Sequence, residues 1–319
     1  MSETVRYLLT VVLTLVAAMS IAAGLIWLER RLLALWQDRY GPNRVGPFGL
    51  LQVLADMIKI FAKEDWIPPF ADKVVFVLAP CVIMVTVLLS FAVVPFSPGI
   101  YIADLNIGLL FFLGMSSLGV YSVVLAGWSS NSKYPLLGSM RAAAQMLSYE
   151  VFMALSLMGV VLMAGSFNLS EIVEAQRRIW FFIPQIIGLI VFIIAGLAET
   201  RRIPFDLPES ESSLVAGYHA EYSGIKFGMF FVGEYLGITL ISVMIATLFF
   251  GGYLGPAPIP PILWLAIKTF VFIGFFILVR ATMPRPRPDQ LMALGWKALL
   301  PLSLLNLVVT GGIMLAMGA

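Results

Sequence analysis

Eight stretches of this sequence are long, apolar and almost free of charged side chains, and they limit the possible folds more than any other feature. Each is close to the roughly 20 residues that an α-helix needs to cross a bilayer. Runs this continuous are not barrel strands, which alternate in polarity over about ten residues. The sequence therefore predicts an all-α polytopic membrane protein with eight transmembrane helices, at about 5–28, 74–94, 105–128, 142–165, 179–198, 227–253, 262–280 and 298–317.

The composition agrees with lipid as the main solvent. Of all residues, 60% are hydrophobic and 12% are charged, whereas soluble domains carry roughly 25% charged residues. We expect a single integral membrane domain over residues 1–319. The apolar run from Tyr7 to Leu28 is longer than the core of a signal peptide, about 7–15 residues, so we expect it to remain as a membrane helix. The net charge of +2 does not indicate a nucleic-acid partner.

Basic residues are distributed unevenly between the connections. Sixteen of the 20 lysines and arginines lie in the odd-numbered connections. The positive-inside rule then predicts that these connections are cytoplasmic and that both termini are periplasmic. In the first of them, the segment Leu50–Ala62 has the pattern of an amphipathic helix, with Asp56 and Lys59 on its polar side. We therefore expect amphipathic loop helices against the membrane surface.

Single cysteine and histidine residues limit the redox and metal chemistry of the chain. Cys81 is the one cysteine, and an iron–sulfur cluster needs about four thiolates. His219 is the one histidine, and we interpret it as a hydrogen-bonding loop residue. Lys268 lies inside a predicted span and is expected to extend toward the membrane surface. The sequence thus predicts neither a cluster nor a histidine-based metal site on this chain alone.

Carboxylates occur where burial makes them energetically expensive. Glu150 and Glu234 lie inside predicted spans, and ionisable groups at membrane depth usually face a protein interior or water and carry a function. Five more acids crowd the connection between the fifth and sixth spans, namely Glu199, Asp206, Glu209, Glu211 and Glu221. Such groups can pass protons between neighbours. The alternative is that Glu199 pairs with Arg202 and that the loop acids form a solvated face.

Two connections contain prolines that restrict the backbone. The segment from Ile203 to Pro208 brackets Asp206 with prolines, which favours an ordered, non-helical turn. Non-helical backbone at membrane depth is tolerated where it lines a cavity. In the first connection, Arg39 to Pro47 contains Gly-Pro-Asn and Val-Gly-Pro turns, which indicate a defined loop shape.

Five strings, taken in order, resemble the quinone-chamber membrane subunit family, the H subunits, of respiratory complex I, the proton-translocating NADH:quinone oxidoreductase. They are ERRLLALWQDRYGPNRVGPFGLLQVLADMIKIFAKED, GWSSNSKYPLLGSMRAAAQMLSYE, AETRRIPFDLPESESSLVAGYHAEYSG, FFVGEYL and RATMPRPRPDQLMALGWKALLPLSL. Together with the eight predicted spans, the similarity covers nearly the whole chain. Strings of this length are highly specific.

The resemblance implies the membrane half of a long quinone cavity with its tip under a peripheral arm. By matching position, the residues around the cavity and its interface would be Glu29, Arg30, Arg39, Arg202, Phe205, Asp206, Arg280 and Arg285. The segment from Arg202 to Glu211 would be a mobile cavity wall. An acidic proton path would contain Asp56, Glu150, Glu199, Asp206, Glu209, Glu211, Glu221 and Glu234.

The resemblance also implies partners and a membrane. The substrate would be a quinone, ubiquinone in particular, and FMN and iron–sulfur clusters would belong to other subunits. Partners would be the peripheral iron–sulfur and quinone-site subunits, adjacent small membrane subunits, antiporter-like pumping subunits and the lipid bilayer. The membrane would be a bacterial inner membrane rather than an organellar one. Arg287 and Asp289 would support the cavity or the docking surface of the peripheral arm.

The chain departs from the family pattern at two positions, and two other functions stay open. Ser213 stands where the family usually has a third acid, and Pro288 stands where it usually has an aromatic residue. Related membrane-bound hydrogenases share the fold, so the electron donor is a separate question. An independent secondary transporter or ion channel could use Glu150 and Glu234 as carrier acids. Transporters often contain inverted repeats, and we detect none in this sequence.

Overall fold

The computed structural model describes residues 3–206 and 217–317, and helices are the regular secondary structure of these ranges. One isolated antiparallel bridge joins Ser97 to Ile100. In chain order the α-helices are α1 Glu3–Trp36, α2 Gln52–Ala62, α3 Lys73–Ser90, α4 Gly108–Ser129, α5 Lys133–Ala164, α6 Leu169–Ala175, α7 Ile186–Glu199, α8 Gly224–Phe249, α9 Pro261–Thr282, α10 Pro288–Leu294 and α11 Leu300–Met317.

Within the described ranges, seven helical segments are long and apolar enough to cross a membrane: α1, α3, α4, α5, α8, α9 and the continuous segment from Pro288 to Met317. The predicted span at 179–198 contains a helix of 14 residues, α7, which is too short to count among these seven. At 1.5 Å per residue, α7 is about 21 Å long. The all-helical class is thus confirmed. The amphipathic helix expected in the first connection is also confirmed, as α2.

Several helix boundaries differ from the predicted spans, and prolines explain three of the differences. Residues 181–185 form turns before α7, since Pro184 disfavours helical backbone at the residue before it. Helix α5 begins at Lys133, nine residues before the predicted span, because Pro135 lies in its first turn, where proline is tolerated. Pro288 likewise lies in the first turn of α10. A five-residue π-helix, Gly295–Leu299, then connects α10 to α11.

Contacts between connections define two ends of the helical bundle. At the end that carries α2, Lys226 forms an ion pair with Asp65, and Asp72 N donates to Ser129 O at 3.0 Å. At the opposite end, Leu109 N donates to Phe167 O at 3.0 Å, and Phe182 N donates to Phe249 O at 2.9 Å. We refer to these as the α2 end and the opposite end. The odd-numbered connections meet at the α2 end.

Helix α8 lies at the centre of the bundle. It packs against α1, α2, α3, α6, α7 and α9, and it is the most buried of the long helices in the described ranges. Its core includes Leu236, Met244 and Leu248, each fully buried. Any polar side chain that α8 directs toward these neighbours is therefore enclosed by protein rather than by lipid.

The first connection has a defined shape, as its turns predict. Arg31 Nη1 lies 3.3 Å from both Pro42 O and Phe48 O, and Trp27 Nε1 donates to Phe48 O at 3.0 Å. Gly49 has a φ of 76°, and a Cβ atom there would lie 2.2 Å from Pro42 O. Only glycine fits this close approach. The guanidinium of Arg31 therefore fixes the shape of this loop.

Candidate functional site: a buried charge network between two cavities

Four charged side chains from four segments form an ion-pair network whose centre is buried and whose member Arg280 is partly exposed. We call it the charge network: Glu29, Arg202, Glu234 and Arg280. Arg202 Nη1 lies 3.0 Å from both carboxylate oxygens of Glu29, and Arg202 Nε forms an ion pair with Glu234. Arg280 forms an ion pair with Glu29. Glu29 and Arg202 are 4% and 6% exposed. Removing Arg202 would take the shared cation away from two largely buried carboxylates.

The folding of α1 and α7 explains how this network is assembled. Helix α1 continues past its apolar run through Glu29 to Trp36, so a charged residue that follows a predicted span is carried into the protein interior. Helix α7 ends at Glu199, and Arg202 follows in the turn. Gln145 on α5 holds this turn, because its Nε2 donates to Ala198 O at 2.8 Å and to Phe205 O at 2.9 Å.

The turn after Arg202 is packed on both sides. The Phe205 ring is buried, and its centroid lies 5.9 Å from that of Tyr149. Asp206 pairs with Arg285, whose Nη2 lies 2.9 Å from Oδ2. Arg285 is exposed, whereas the Asp206 side chain is 13% exposed. The Asp206–Arg285 ion pair therefore extends from the turn that carries Arg202 to the protein surface.

Two other predicted acids, Glu150 and Glu199, contact neighbouring serines of α4. Ser116 Oγ donates to Glu199 Oε1 at 2.8 Å, and Ser117 Oγ donates to Glu150 Oε1. The second carboxyl oxygen of Glu199 is buried and has no hydrogen-bond partner among the described residues. Because the two serines are adjacent, they bring the two carboxyl groups to neighbouring points on one helix.

Two cavities adjoin these acids. The first, of about 150 Å³, is lined by both arginines of the Arg201–Arg202 pair, Asp206, His219, Glu234 and Arg280, with aromatic residues completing the wall. The second, of about 70 Å³, is lined by Ser116, Glu199, Arg201 and Glu234 and by apolar residues of α3, α4 and α8. We call them the larger and the smaller cavity. Polar groups are concentrated around the larger one.

His219 borders the larger cavity in the connection before α8. Its ring makes edge contacts with Tyr218 at 4.9 Å and with Phe227 at 5.4 Å between centroids. Burial, reinforced by the positive charge of Arg201, lowers the pKa of His219 to about 4. The imidazole is therefore neutral at pH 7 and can exchange hydrogen bonds without adding charge to the cavity.

Other predicted site residues lie apart from the charge network. Arg30 pairs with Asp56 at 2.6 Å on the surface near α2, and Arg39 Nε donates to Gln37 Oε1 at 2.9 Å. Arg30 and Arg39 border an open surface cavity of about 360 Å³. Within the described ranges, no hydrogen bond or ion pair connects Asp56 or Glu221 to the charge network.

The remaining predicted positions lie at the surface, at the opposite end of the bundle or outside the described residues. Arg287 and Asp289 form an exposed pair at 2.9 Å. Glu209, Glu211 and Ser213 lie outside the described residues. Lys268 extends as far as the connection between α8 and α9, where its Nζ donates to Phe250 O, Gly252 O and Leu254 O at 2.6–2.8 Å. The carbonyl groups that follow α8 lack helical partners, so they can accept these hydrogen bonds.

Sequence reasoning missed several polar groups at this site. Ser116 and Ser117 lie in an apolar helix, where serine is unremarkable, and their contacts reach residues 83 and 33 positions away. Tyr235 lies beneath the Arg202 guanidinium at 4.3 Å. Arg201 lies in a predicted polar connection, yet it is 4% exposed. The one available signal for Arg201 was that the Arg201–Arg202 pair follows closely on the acid Glu199.

Comparisons with known proteins agree with this architecture. A family model described as NADH dehydrogenase matches residues 9–311. The H subunit of the NADH-quinone oxidoreductase of Methylococcus capsulatus is 64% identical over 299 residues, which cover 94% of this chain and 95% of the relative. The chain therefore belongs to the NADH dehydrogenase family, and within it to the H subunits of NADH-quinone oxidoreductase.

Proposed function

We propose that this chain forms the membrane half of a quinone-binding chamber and couples quinone reduction to proton pumping through buried carboxylates. The observation that carries the proposal is the charge network of Glu29, Arg202, Glu234 and Arg280, which borders the larger cavity. Buried charges at this density are costly and usually functional. Membership of an oxidoreductase subunit family supports a redox substrate over a transported solute.

The chemistry follows from the charge on the substrate. A quinone takes up two electrons and two protons when it is reduced, and the electrons would come from iron–sulfur partners. Any charge that develops in the chamber acts strongly on nearby carboxylates, since electrostatic interactions are stronger at low dielectric than in water. The Glu29–Arg202–Glu234 contacts would then rearrange, and a proton would move. The quinone chemistry is thereby converted into a change in protonation.

The proposed path continues from the larger cavity into the bundle. Glu234 and Glu199 line the smaller cavity together, and Glu150 is reached through the adjacent serines of α4. Asp206, with its partner Arg285, would belong to the wall that moves with the state of the quinone. Asp56, Glu209, Glu211 and Glu221 stay in the proposal as predicted members of the path. Phe205, whose ring packs on that of Tyr149, would hold one end of this moving wall in place.

Membrane placement completes the proposal. The integral domain would cross a bacterial inner membrane eight times. The seven long apolar segments would make seven crossings, and α7 with the turns before it would make the remaining one, because successive connections alternate between the two ends of the bundle. The α2 end would be cytoplasmic and would meet the peripheral arm, where Arg30 and Arg39 border an open basic surface. Small membrane subunits and pumping subunits would pack laterally. Ubiquinone would enter from the lipid.

The replacement Glu234→Gln in the intact complex tests this proposal. The carboxamide keeps the shape but cannot carry a proton or pair with Arg202 as an anion. We expect the rate of NADH:quinone reduction coupled to proton pumping to fall at least about tenfold, as for loss of a proton-transferring group. Both activities are measured in inverted membrane vesicles, with the flavin content as the measure of assembled complex.

The matched control is Glu171→Gln, which removes an exposed carboxylate on α6, at the opposite end of the bundle, and should leave both activities unchanged. Undiminished pumping per quinone in Glu234→Gln vesicles would remove Glu234 from the path. Migration of the chain alone on a native gel, after mild extraction and without flavin-containing partners, would favour the independent transporter instead.

A further inference from the structure

The two cavities described above share one wall. Among the described residues, Arg201 and Glu234 are the two that line both the larger and the smaller cavity. Glu234 can take up and release a proton, whereas the guanidinium of Arg201 stays charged at every physiological pH. A group that transfers protons and a group that repels them therefore stand side by side between the two spaces.

A sharp backbone turn and a buried aromatic ring hold Arg201 in this position. Its φ is 54°, a left-handed conformation that residues other than glycine seldom adopt, and it turns the chain sharply after α7. The guanidinium carbon lies 4.9 Å from the centroid of the Tyr218 ring. Tyr218 is itself 2% exposed. A buried aromatic face thus supports a buried cation.

We propose that Arg201 is an electrostatic barrier between the cavities, which forces protons to cross the shared wall through the carboxyl group of Glu234. A positively charged arginine in a narrow, low-dielectric passage excludes hydrated protons and other cations. The proton balance is simple: Glu234 accepts one proton from the larger cavity and later releases one to the smaller cavity. This inference rests on the proposed coupling function and specifies how leakage past Glu234 is prevented.

The other charged groups around the larger cavity fit this role for Arg201. Arg202 and Arg280 form ion pairs with Glu29 and Glu234, and they line the larger cavity but not the smaller one. His219 is neutral at pH 7, because burial and the Arg201 charge lower its pKa to about 4. Asp206 pairs with Arg285 at the surface side. Glu199 is the acid on the far side of the wall.

The test replaces Arg201 with Gln and with Lys in the intact complex in inverted vesicles. The measured quantity is the number of protons translocated per quinone reduced, at matched flavin content. Without the cation, protons return past Glu234, so we expect Arg201→Gln to lower this ratio at least about twofold. Arg201→Lys keeps the charge and should retain the ratio near pH 7. Arg177→Gln, an exposed arginine paired with Glu174, is the matched control.

A pH profile distinguishes a barrier from a structural support. A buried lysine loses its proton more readily than arginine does, so the Arg201→Lys complex should lose coupling at alkaline pH where the wild type does not. The pH profile of the Arg201→Lys complex also tests the barrier if the Arg201→Gln complex does not assemble. A wild-type ratio in Arg201→Gln, or identical pH profiles for Arg201→Lys and the wild type, would overturn the barrier.

The result for Glu234→Gln separates this inference from the proposed function. If Glu234→Gln leaves coupling intact, the carboxylate path itself is wrong, whatever Arg201 does. If Glu234→Gln abolishes coupling while Arg201→Gln pumps with the wild-type ratio, only the barrier is wrong.

Discussion

Two buried polar clusters in this protein have different chemistry. The charge network of Glu29, Arg202, Glu234 and Arg280 consists of ionisable groups and borders a cavity. Between α5, α7 and α11, Gln185, Asn306 and Thr310 form a second cluster, which we call the amide cluster. Asn306 Nδ2 donates to Gln185 Oε1 at 2.7 Å, and Gln185 Nε2 donates to Thr310 Oγ1 at 2.8 Å.

The difference shows what burial of a polar group can indicate. The amide cluster has no titratable side chain, and glycine permits its close packing: a Cβ on Gly159 would lie 2.2 Å from Gln185 Oε1. Such hydrogen bonds connect membrane helices. The charge network, by contrast, is an expensive means of connecting helices, because desolvation opposes the Coulomb attraction. We therefore interpret the amide cluster as structural and the charge network as functional.

The largest expected effect comes from removing the central cation of the charge network. In Arg202→Met, the Glu29 and Glu234 carboxylates lose their shared partner, and breaking a buried pair costs about 3–5 kcal/mol. We expect a lower thermal transition of the solubilised complex and loss of coupled quinone reduction. Arg202→Lys, which restores charge without the forked geometry, should recover part of both. A Met variant with wild-type stability and activity would contradict the role of the network.

A smaller effect of a different kind is expected in the amide cluster. Gln185→Leu removes hydrogen bonds to Asn306 and Thr310, so the free energy of unfolding should fall by about 1–2 kcal/mol. The number of protons per quinone should not change, because no proton carrier is lost. Thermal unfolding and vesicle pumping measure the two quantities. A reduced proton ratio at normal complex content would show that the amide cluster belongs to the path.

The pH dependence of stability should reflect His219. Its folded-state pKa of about 4 lies below the ordinary histidine pKa of 6.5, so between these values the unfolded chain binds more protons than the folded one. Stability is therefore complete above pH 6.5 and falls as the pH drops toward 4. Between pH 7 and 5.5 the loss should be about 1 kcal/mol. The difference in unfolding temperature between these pH values should be smaller in His219→Gln; an equal difference would contradict a neutral buried imidazole.

The smallest effect should come from an exposed ion pair. Arg287 and Asp289 have exposed side chains 2.9 Å apart, and such pairs contribute little because water and salt screen them. Asp289→Asn should therefore leave the thermal transition of the solubilised complex almost unchanged. A large shift would mean that a partner subunit covers this pair, as the family resemblance implies for a docking surface.

The sequence allowed the helical class to be predicted, because apolar runs and the cost of unpaired backbone in lipid are local properties. It also indicated Glu150 and Glu234 by their depth in predicted spans, and the family resemblance added Glu29 and Arg202 as candidate site residues. Their partners could not be predicted: Arg202 contacts Glu29 across 173 positions, and no local pattern specifies such a pairing. The early start of α5 was missed because Pro135, Gly138 and Arg141 interrupt the apolar pattern, although the helix continues through them.

Infrared difference spectroscopy of the intact complex tests the central claim most directly. The spectrum of the reduced-quinone state minus that of the oxidised state reports carboxyl groups that change their protonation or hydrogen bonding. We predict a signal in the carboxyl C=O stretching region that is lost in Glu234→Gln and kept in Glu171→Gln. An identical spectrum in the wild type and Glu234→Gln would show that this carboxyl group does not respond to quinone chemistry.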